Sequence, residues 1–413
     1  KNGKAIMENN FEKIFYENKN NPYELEKLFH KNKNQFIKLI NKEKSINNDQ
    51  VIQFWDARIN YKNSFDLKKI IISIILAVLC WIPLRILIEK EVMEFDKFMT
   101  FLPCIFTFTF SLLLSTYDFK IKSIIYIFLI SLITGLYLFF IPFNEKSQSI
   151  INIYIHIPIF LWSIIGFFYC DFKLKNYQKI FDFLLLSGEM IIWSTLLLIS
   201  GIILTFITLT LFKMINIEIE DFYFKNIVSL GIIIAPFLSV PILKKFSDFN
   251  ISSVIAKIFA PLAIITLITY LLFSLITKNV PYENRNILIT YNIILVAVLG
   301  IIIFINANYV RASYFFISNF VLISVSTIID LIALTAIIYR IREYGLTPNK
   351  ITVLGINFLM LINLIWILIS MIKNIHEEKK YENIVNTISK YLPIYSIWSL
   401  IVIVIIPIIF KYK

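Results

Sequence analysis

Charge is scarce in this 413-residue chain: Asp, Glu, Lys and Arg together make up 16%, and few of them fall within the long apolar stretches that follow residue 69. A water-soluble chain of this length would divide into two or three domains with charged surfaces, so solubility throughout is excluded. Cysteine is rare too. Cys80, Cys104 and Cys170 lie in or beside apolar runs and form no CxxC pair, which excludes a disulfide framework or a thiolate zinc cluster. Of three histidines, only His156 sits inside an apolar run, so a multi-histidine metal site cannot be assembled. The zincin, nucleophile-elbow, P-loop and dinucleotide-binding signatures are absent, which argues against a soluble-type active site and implies no cofactor.

Apolar residues fill the space that charge leaves. Hydrophobic residues reach 58% and the mean hydropathy is +0.74, the composition of a protein whose solvent is the bilayer. The formal charge of +12 accompanies a bias toward Ile, Phe, Lys, Asn and Tyr and implies no nucleic-acid partner. Eleven segments are apolar over the length that crosses about 30 Å of hydrocarbon: 69–89, 98–116, 122–143, 150–170, 181–212, 226–243, 254–277, 287–306, 316–339, 351–372 and 391–410. Alternation of period two is missing, so helices are the membrane-spanning reading, each satisfying its own backbone hydrogen bonds. The expected fold class is all-α, a polytopic bundle of about 11 transmembrane helices over residues 69–413.

Residues 1–68 read differently, as a small cytosolic domain of two or three amphipathic helices. Met7 is a candidate start, and apolar residues recur at helical spacing in Phe11, Ile14 and Phe15, in Leu25, Leu28 and Phe29, and in Phe36, Ile37 and Ile40. The stretch Val51, Ile52, Phe54, Trp55 and Arg58 fits either an interfacial anchor or a packed helix.

Two segments are irregular. Residues 181–212 are long enough to hold a surface helix before the span, and residues 226–243 are short and broken by Gly231, Pro236 and Pro241. The second either crosses or re-enters, and Lys and Arg favour the inside by roughly two to one in both cases. Both alternatives keep the N-terminus cytoplasmic, with the acidic loop Glu89, Glu91, Glu94 and Asp96 and the cluster Glu218, Glu220 and Asp221 outside.

Ionisable groups inside spans need a reason, since insertion of each costs about 2.5–3.5 kcal/mol. His156, two residues before Pro158, Glu189 after Gly188, and Asp330 near the middle of the ninth span form the candidate intramembrane polar site. Their functional reading is a proton relay or cation site; the structural one is local satisfaction at each position. A second constellation, Arg340, Arg342, Tyr344, Thr347 and Lys350, lies between the ninth and tenth spans. Gly345 in the left-handed region, Thr347 as N-cap and Pro348 at N1 describe a tight helix-to-helix turn. The same cations beside a helix N-terminus would suit a phosphate or carboxylate, making this a candidate anion site.

The segments His156-Ile157-Pro158, Ser187-Gly188-Glu189, Leu211-Phe212, Ala260-Pro261-Leu262, Tyr282 to Arg285, Arg342 to Pro348 and Leu392-Pro393-Ile394-Tyr395-Ser396-Ile397-Trp398 together resemble a family of bacterial polytopic membrane proteins catalogued as domain of unknown function number 4153. The resemblance covers most of residues 70–410, with Arg342 to Pro348 its most specific piece. It implies a bacterial inner-membrane location and assigns no activity. Eleven segments, several broken by proline, supply discontinuous helices of the kind that build midplane sites, so the expectation is a permease-like transporter or lipid-handling protein whose partners are membrane lipids with anionic head groups. The alternative is a membrane scaffold or envelope-assembly factor that recruits a protein partner through its N-terminal domain.

Overall fold

The computed structural model describes residues 11–44, 49–60, 66–89, 101–118, 121–142, 144, 146–214, 216–245, 251–277, 285–307, 313–373 and 380–412. The expected acidic loop from residue 90 to 97 and the segment 282–284 lie outside them. Every regular element among the described residues is a helix, and the chain divides into two compact units, Lys1–Phe65 and Asp66–Lys413.

The first unit contains α1 (11–17), α2 (Pro22–Lys31), α3 (Lys33–Lys44) and α4 (Gln50–Asn60). Asn21 starts α2 by accepting from the Glu24 amide at 3.4 Å, and Pro22 occupies the first turn, where its missing N–H costs nothing. The apolar stripes meet in one core of Phe11, Phe15, Leu25, Phe36, Leu39, Ile40, Ile52 and Trp55. Ring centroids of Phe36 lie 5.3 Å from Phe15 and 4.7 Å from Trp55, in edge-on geometry. Ile52 and Trp55 are thus consumed by this core, which favours the packed-helix reading of Val51 to Trp55, while Phe54 remains exposed.

Asp49 caps α4, its carboxylate accepting from the Val51 amide at 2.8 Å and pairing with Lys19. The Lys19 ammonium, followed by the backbone hydrogen bond, holds this carboxyl below its ordinary value of 3.8. A depressed folded value adds stability above the unfolded pKa and loses it as pH falls through the folded one. Asp49→Asn keeps the cap but drops the charge. It is therefore expected to speed hydrogen exchange of the α4 amides at neutral pH, and the difference from wild type should shrink below pH 3.8 and vanish once the pH has fallen through the depressed folded value. A difference that persists in acid would assign the effect to the cap alone.

The second unit is a helix bundle: α5 (Leu67–Glu89), α6 (Leu102–Asp118), α7 (Ile121–Phe140), α8 (Gln148–Tyr169), α9 (Tyr177–Met214), α10 (Glu220–Lys245), α11 (Ile251–Thr277), α12 (Arg285–Ala307), α13 (Ser313–Tyr344), α14 (Pro348–Lys373), α15 (Lys380–Ser389) and α16 (Tyr391–Ile409). Eight helical stretches among the described residues are long and apolar enough to cross a membrane, and three more apolar helices, Leu102–Tyr117, Ile124–Phe140 and Ala256–Leu272, are shorter. The chain has the build of a multi-pass helical membrane protein. Its lipid-type exterior is plain on α9, where Ile202 and Phe206 are 68% and 72% exposed.

Two irregular segments resolve into continuous helices. Residues 177–214 form one helix of 38 residues with no separate surface helix. α10 runs unbroken for 26 residues, with a π-helical stretch at Tyr223–Val228 and Pro236 and Pro241 inside it. Each proline leaves the carbonyl four residues earlier without its amide donor, so bends are expected there. Neighbouring α5 braces the π stretch: Trp81 Nε1 donates to Ser229 Oγ at 2.9 Å and Arg85 Nε to Asn226 Oδ1 at 2.9 Å. Hydroxyls buried along the bundle mostly return to their own helix, as Thr107 does to the Pro103 carbonyl at 2.7 Å.

The core falls into clusters that share helices. α11, α12, α13, α14 and α15 enclose Leu295, Ile302, Leu322, Ala333, Leu364 and Ile384, while α5, α6, α8, α9 and α10 enclose Cys80, Leu113, Ile165, Phe183 and Phe237. Small residues set the closest approaches: a Cβ on Gly166 would lie 2.6 Å from the Phe183 ring, and one on Gly355 would overlap the Trp398 indole.

Candidate functional site

The turn between α13 and α14 is built as its sequence suggests. Gly345 takes φ 73°, which a side chain adopts only with strain. Thr347 caps α14, its hydroxyl facing the Lys350 amide at 3.4 Å and its carbonyl accepting from the Ile351 amide at 3.1 Å. Lys350 Nζ donates to the carbonyls of Gly345 at 2.6 Å and Arg340 at 3.0 Å. It therefore neutralises the negative end of α13 and holds the two helices together. The cationic groups of Arg340 and Lys350 each lie 5.5 Å from the Tyr344 ring centroid, so the exposed Tyr344 supports both charges through its π face.

Beside this turn lies a cavity of about 180 Å3. Arg340, Thr347, Asn349 and Lys350 form its polar wall together with Gln148 of α8 and Asn292 of α12, and Leu288, Ile289, Ile337 and Val353 form its apolar wall. The structure thus places Arg340, Thr347 and Lys350 on one cavity. Arg342 is exposed and is not among the residues that line it. Asn292 and Gln148 were invisible as site residues in the sequence, because neither an amide nor its distant neighbours stand out in a hydropathy window. Asn292 Oδ1 is fixed by Asn357 Nδ2 at 2.9 Å, which ties the cavity to the bundle interior. The volume is below the 300–1,000 Å3 typical of drug-sized ligands and suits a compact polar group.

No hydrogen bond or ion pair among the described residues joins any two of His156, Glu189 and Asp330. His156 Nδ1 is bonded to the carbonyl of Asn152 at 2.8 Å, one turn back on its own helix. That carbonyl is not the one Pro158 frees, which belongs to Tyr154. Glu189 is half-buried on α9. Asp330 has no exposed surface, and neither carboxylate oxygen has a hydrogen-bond partner among the described residues.

Other polar side chains gather at the level of Asp330. Asp330 on α13, Asn363 on α14, Tyr395 on α16 and Ser163 on α8 each lie about 14 or 15 residues, or roughly 21 Å, from the helix end near the cavity. Asn363 Nδ2 donates to the Tyr395 hydroxyl at 3.1 Å and Ser163 Oγ to Ser396 Oγ at 2.7 Å. Nearer the cavity, Asn152 Nδ2 donates to Thr352 Oγ1 at 3.2 Å. α8, α14 and α16 are therefore joined by a buried polar seam. Such a seam satisfies side chains that lipid could not.

No group of three His, Cys, Asp or Glu capable of holding a metal occurs among the described residues. No family model, curated protein or solved structure matches the chain.

Proposed function

We propose that the chain is a multi-pass protein of the bacterial inner membrane, crossing eleven times, that binds an anionic lipid head group in the cavity at the α13–α14 turn. The observation that carries this reading is the cavity lining, which combines Arg340, Thr347 and Asn349 with Leu288, Ile289 and Val353. A phosphate with the first part of an acyl chain has the same division of polar and apolar surface. Arg340 supplies the forked donors that phosphate takes best, and the N-terminus of α14 adds its dipole. Permease-like handling of such a lipid, and membership of the bacterial family that the sequence resembles, are part of this proposal.

Helix ends that meet support the crossing number. Gln148 at the start of α8 and Leu288 near the start of α12 line one cavity, so an even number of crossings separates them. α8, α9, α10 and α11 supply four only if α10 spans. Ser147 Oγ bonds the Tyr412 carbonyl at 2.7 Å, which brings the end of α16 to the same side, as eight crossings from α8 through α16 require when α15 and α16 count as one. Arg85 and Asn226, and Lys390 over the Tyr177 ring at 5.3 Å, obey the same parity. With the basic first unit cytoplasmic, this parity puts the cavity on the outer side.

The test is retention of phosphatidylglycerol by the purified full chain in native mass spectrometry. Arg340→Gln is expected to weaken it about tenfold, with Arg340→Lys intermediate, because a charge-assisted hydrogen bond is worth roughly 1.5 kcal/mol. Arg342→Gln should leave binding unchanged. Inorganic phosphate competing equally well would identify a free anion as the ligand, and wild-type lipid retention by Arg340→Gln would remove the proposal.

A further inference from the structure

Asp330 presents a problem that the head-group cavity does not solve. It has no exposed surface in the middle of an apolar bundle, both its oxygens lack hydrogen-bond donors, and no ion pair among the described residues involves it. The Oδ1 of Asn363 at the same level is also buried without a donor. Tyr395 connects the two: it takes the hydrogen bond from Asn363 Nδ2 and packs against the apolar cluster that holds Ile329 and Ala333, the neighbours of Asp330 on α13. Ile329, Ala333, Met360 and Leu364 belong to one buried apolar cluster, and Tyr395 packs against it.

The deficit has a definite chemical character. What is missing is positive charge or donors, and what is in excess is acceptor oxygens: two of a carboxylate, one of an amide and one of a phenol that already accepts a hydrogen bond. Hard cations take oxygen ligands of this kind. A single carboxylate makes the bound state neutral with a monovalent ion, whereas a divalent one would leave a net positive charge in a low-dielectric interior. We propose that the mid-bundle layer of Asp330, Asn363 and Tyr395 is a binding site for a monovalent metal cation of the Na+ type. The proposal is independent of the lipid reading, because no residue of the layer lines the cavity. It supplies the coupling ion that a permease-like protein would use, at the depth where such sites are built.

The experiment measures 22Na+ binding and thermal unfolding of the full chain in detergent, with Na+ exchanged for choline at constant ionic strength and pH. Wild type is expected to bind 22Na+ and to gain about 5 °C in Tm once Na+ reaches about 100 times its Kd. Asp330→Asn should abolish both effects. If that variant does not fold, Asn363→Leu and Tyr395→Phe, which keep volume and lose one oxygen each, should weaken 22Na+ binding about tenfold. Choline-insensitive stability and no 22Na+ binding in wild type would overturn the proposal; a pH dependence lost in Asp330→Asn would then identify a proton as occupant. Na+ binding unchanged in all three variants would overturn it as well.

Discussion

Gly355→Ala is expected to destabilise the protein despite the gain of about 1 kcal/mol in helix propensity that alanine normally brings. A Cβ at this position would overlap Cζ2 and Cη2 of Trp398, on the helix that closes the bundle against α14. Overpacking of a well-filled interior costs typically 1–3 kcal/mol, and here it also pries α16 from α14, so loss of folded material after detergent extraction is the expected result. Trp398→Leu removes the offending ring and should rescue Gly355→Ala, although it opens a cavity in the wild-type background. A double-mutant cycle that shows simple additivity would mean that the two residues do not compete for space.

What could be seen in the sequence, and what could not, follows from the range of the interactions involved. Asp330 stands out because a carboxylate in an apolar run has a large local cost, and the α13–α14 turn stands out because Gly345, Thr347 and Pro348 have positional meanings within a few residues. His156 and Glu189 drew attention on the same ground. Yet neither is joined to the other or to Asp330: His156 is bonded to its own helix and Glu189 is half-buried on α9. Asn363, Tyr395, Ser163 and Ser396 gave no signal, since amides and hydroxyls barely lower a hydropathy window and their partners are 32 and 233 residues away. The one available hint was the segment Leu392 to Trp398, where polar Tyr395 and Ser396 interrupt an apolar run and both face other helices.

Helix existence was legible for the same local reason, and helix continuity was not. The 38-residue α9 and the unbroken α10 defeat boundary rules because glycine and proline are tolerated within bundles whose neighbours take up the freed backbone groups. In the first unit the apolar spacing predicted helices. Only packing could decide that Ile52 and Trp55 face Phe36 and not a membrane surface.

Continuity of α10 leads to an all-or-none result in the labelling of single cysteines. Leu174, in the turn before α9, and Leu346, in the turn before α14, are 41% and 56% exposed, so a thiol at either can be reached by an impermeant reagent. The buried Cys80, Cys104 and Cys170 must first be replaced. Five helices, α9 to α13, separate the two positions. If all five cross, Leu346→Cys should label from outside intact cells, whereas Leu174→Cys and Lys33→Cys in the first unit should label only after permeabilisation. If α10 re-entered on its own side, the number of crossings would be even and Leu174→Cys and Leu346→Cys would label alike. That outcome would also separate Gln148 from Leu288 by an odd number of crossings, against the cavity they share. Labelling of Lys33→Cys from outside with Leu346→Cys protected would keep the eleven crossings but invert them, moving the cavity of Arg340 and Lys350 to the cytoplasmic leaflet, where anionic lipids would still meet it.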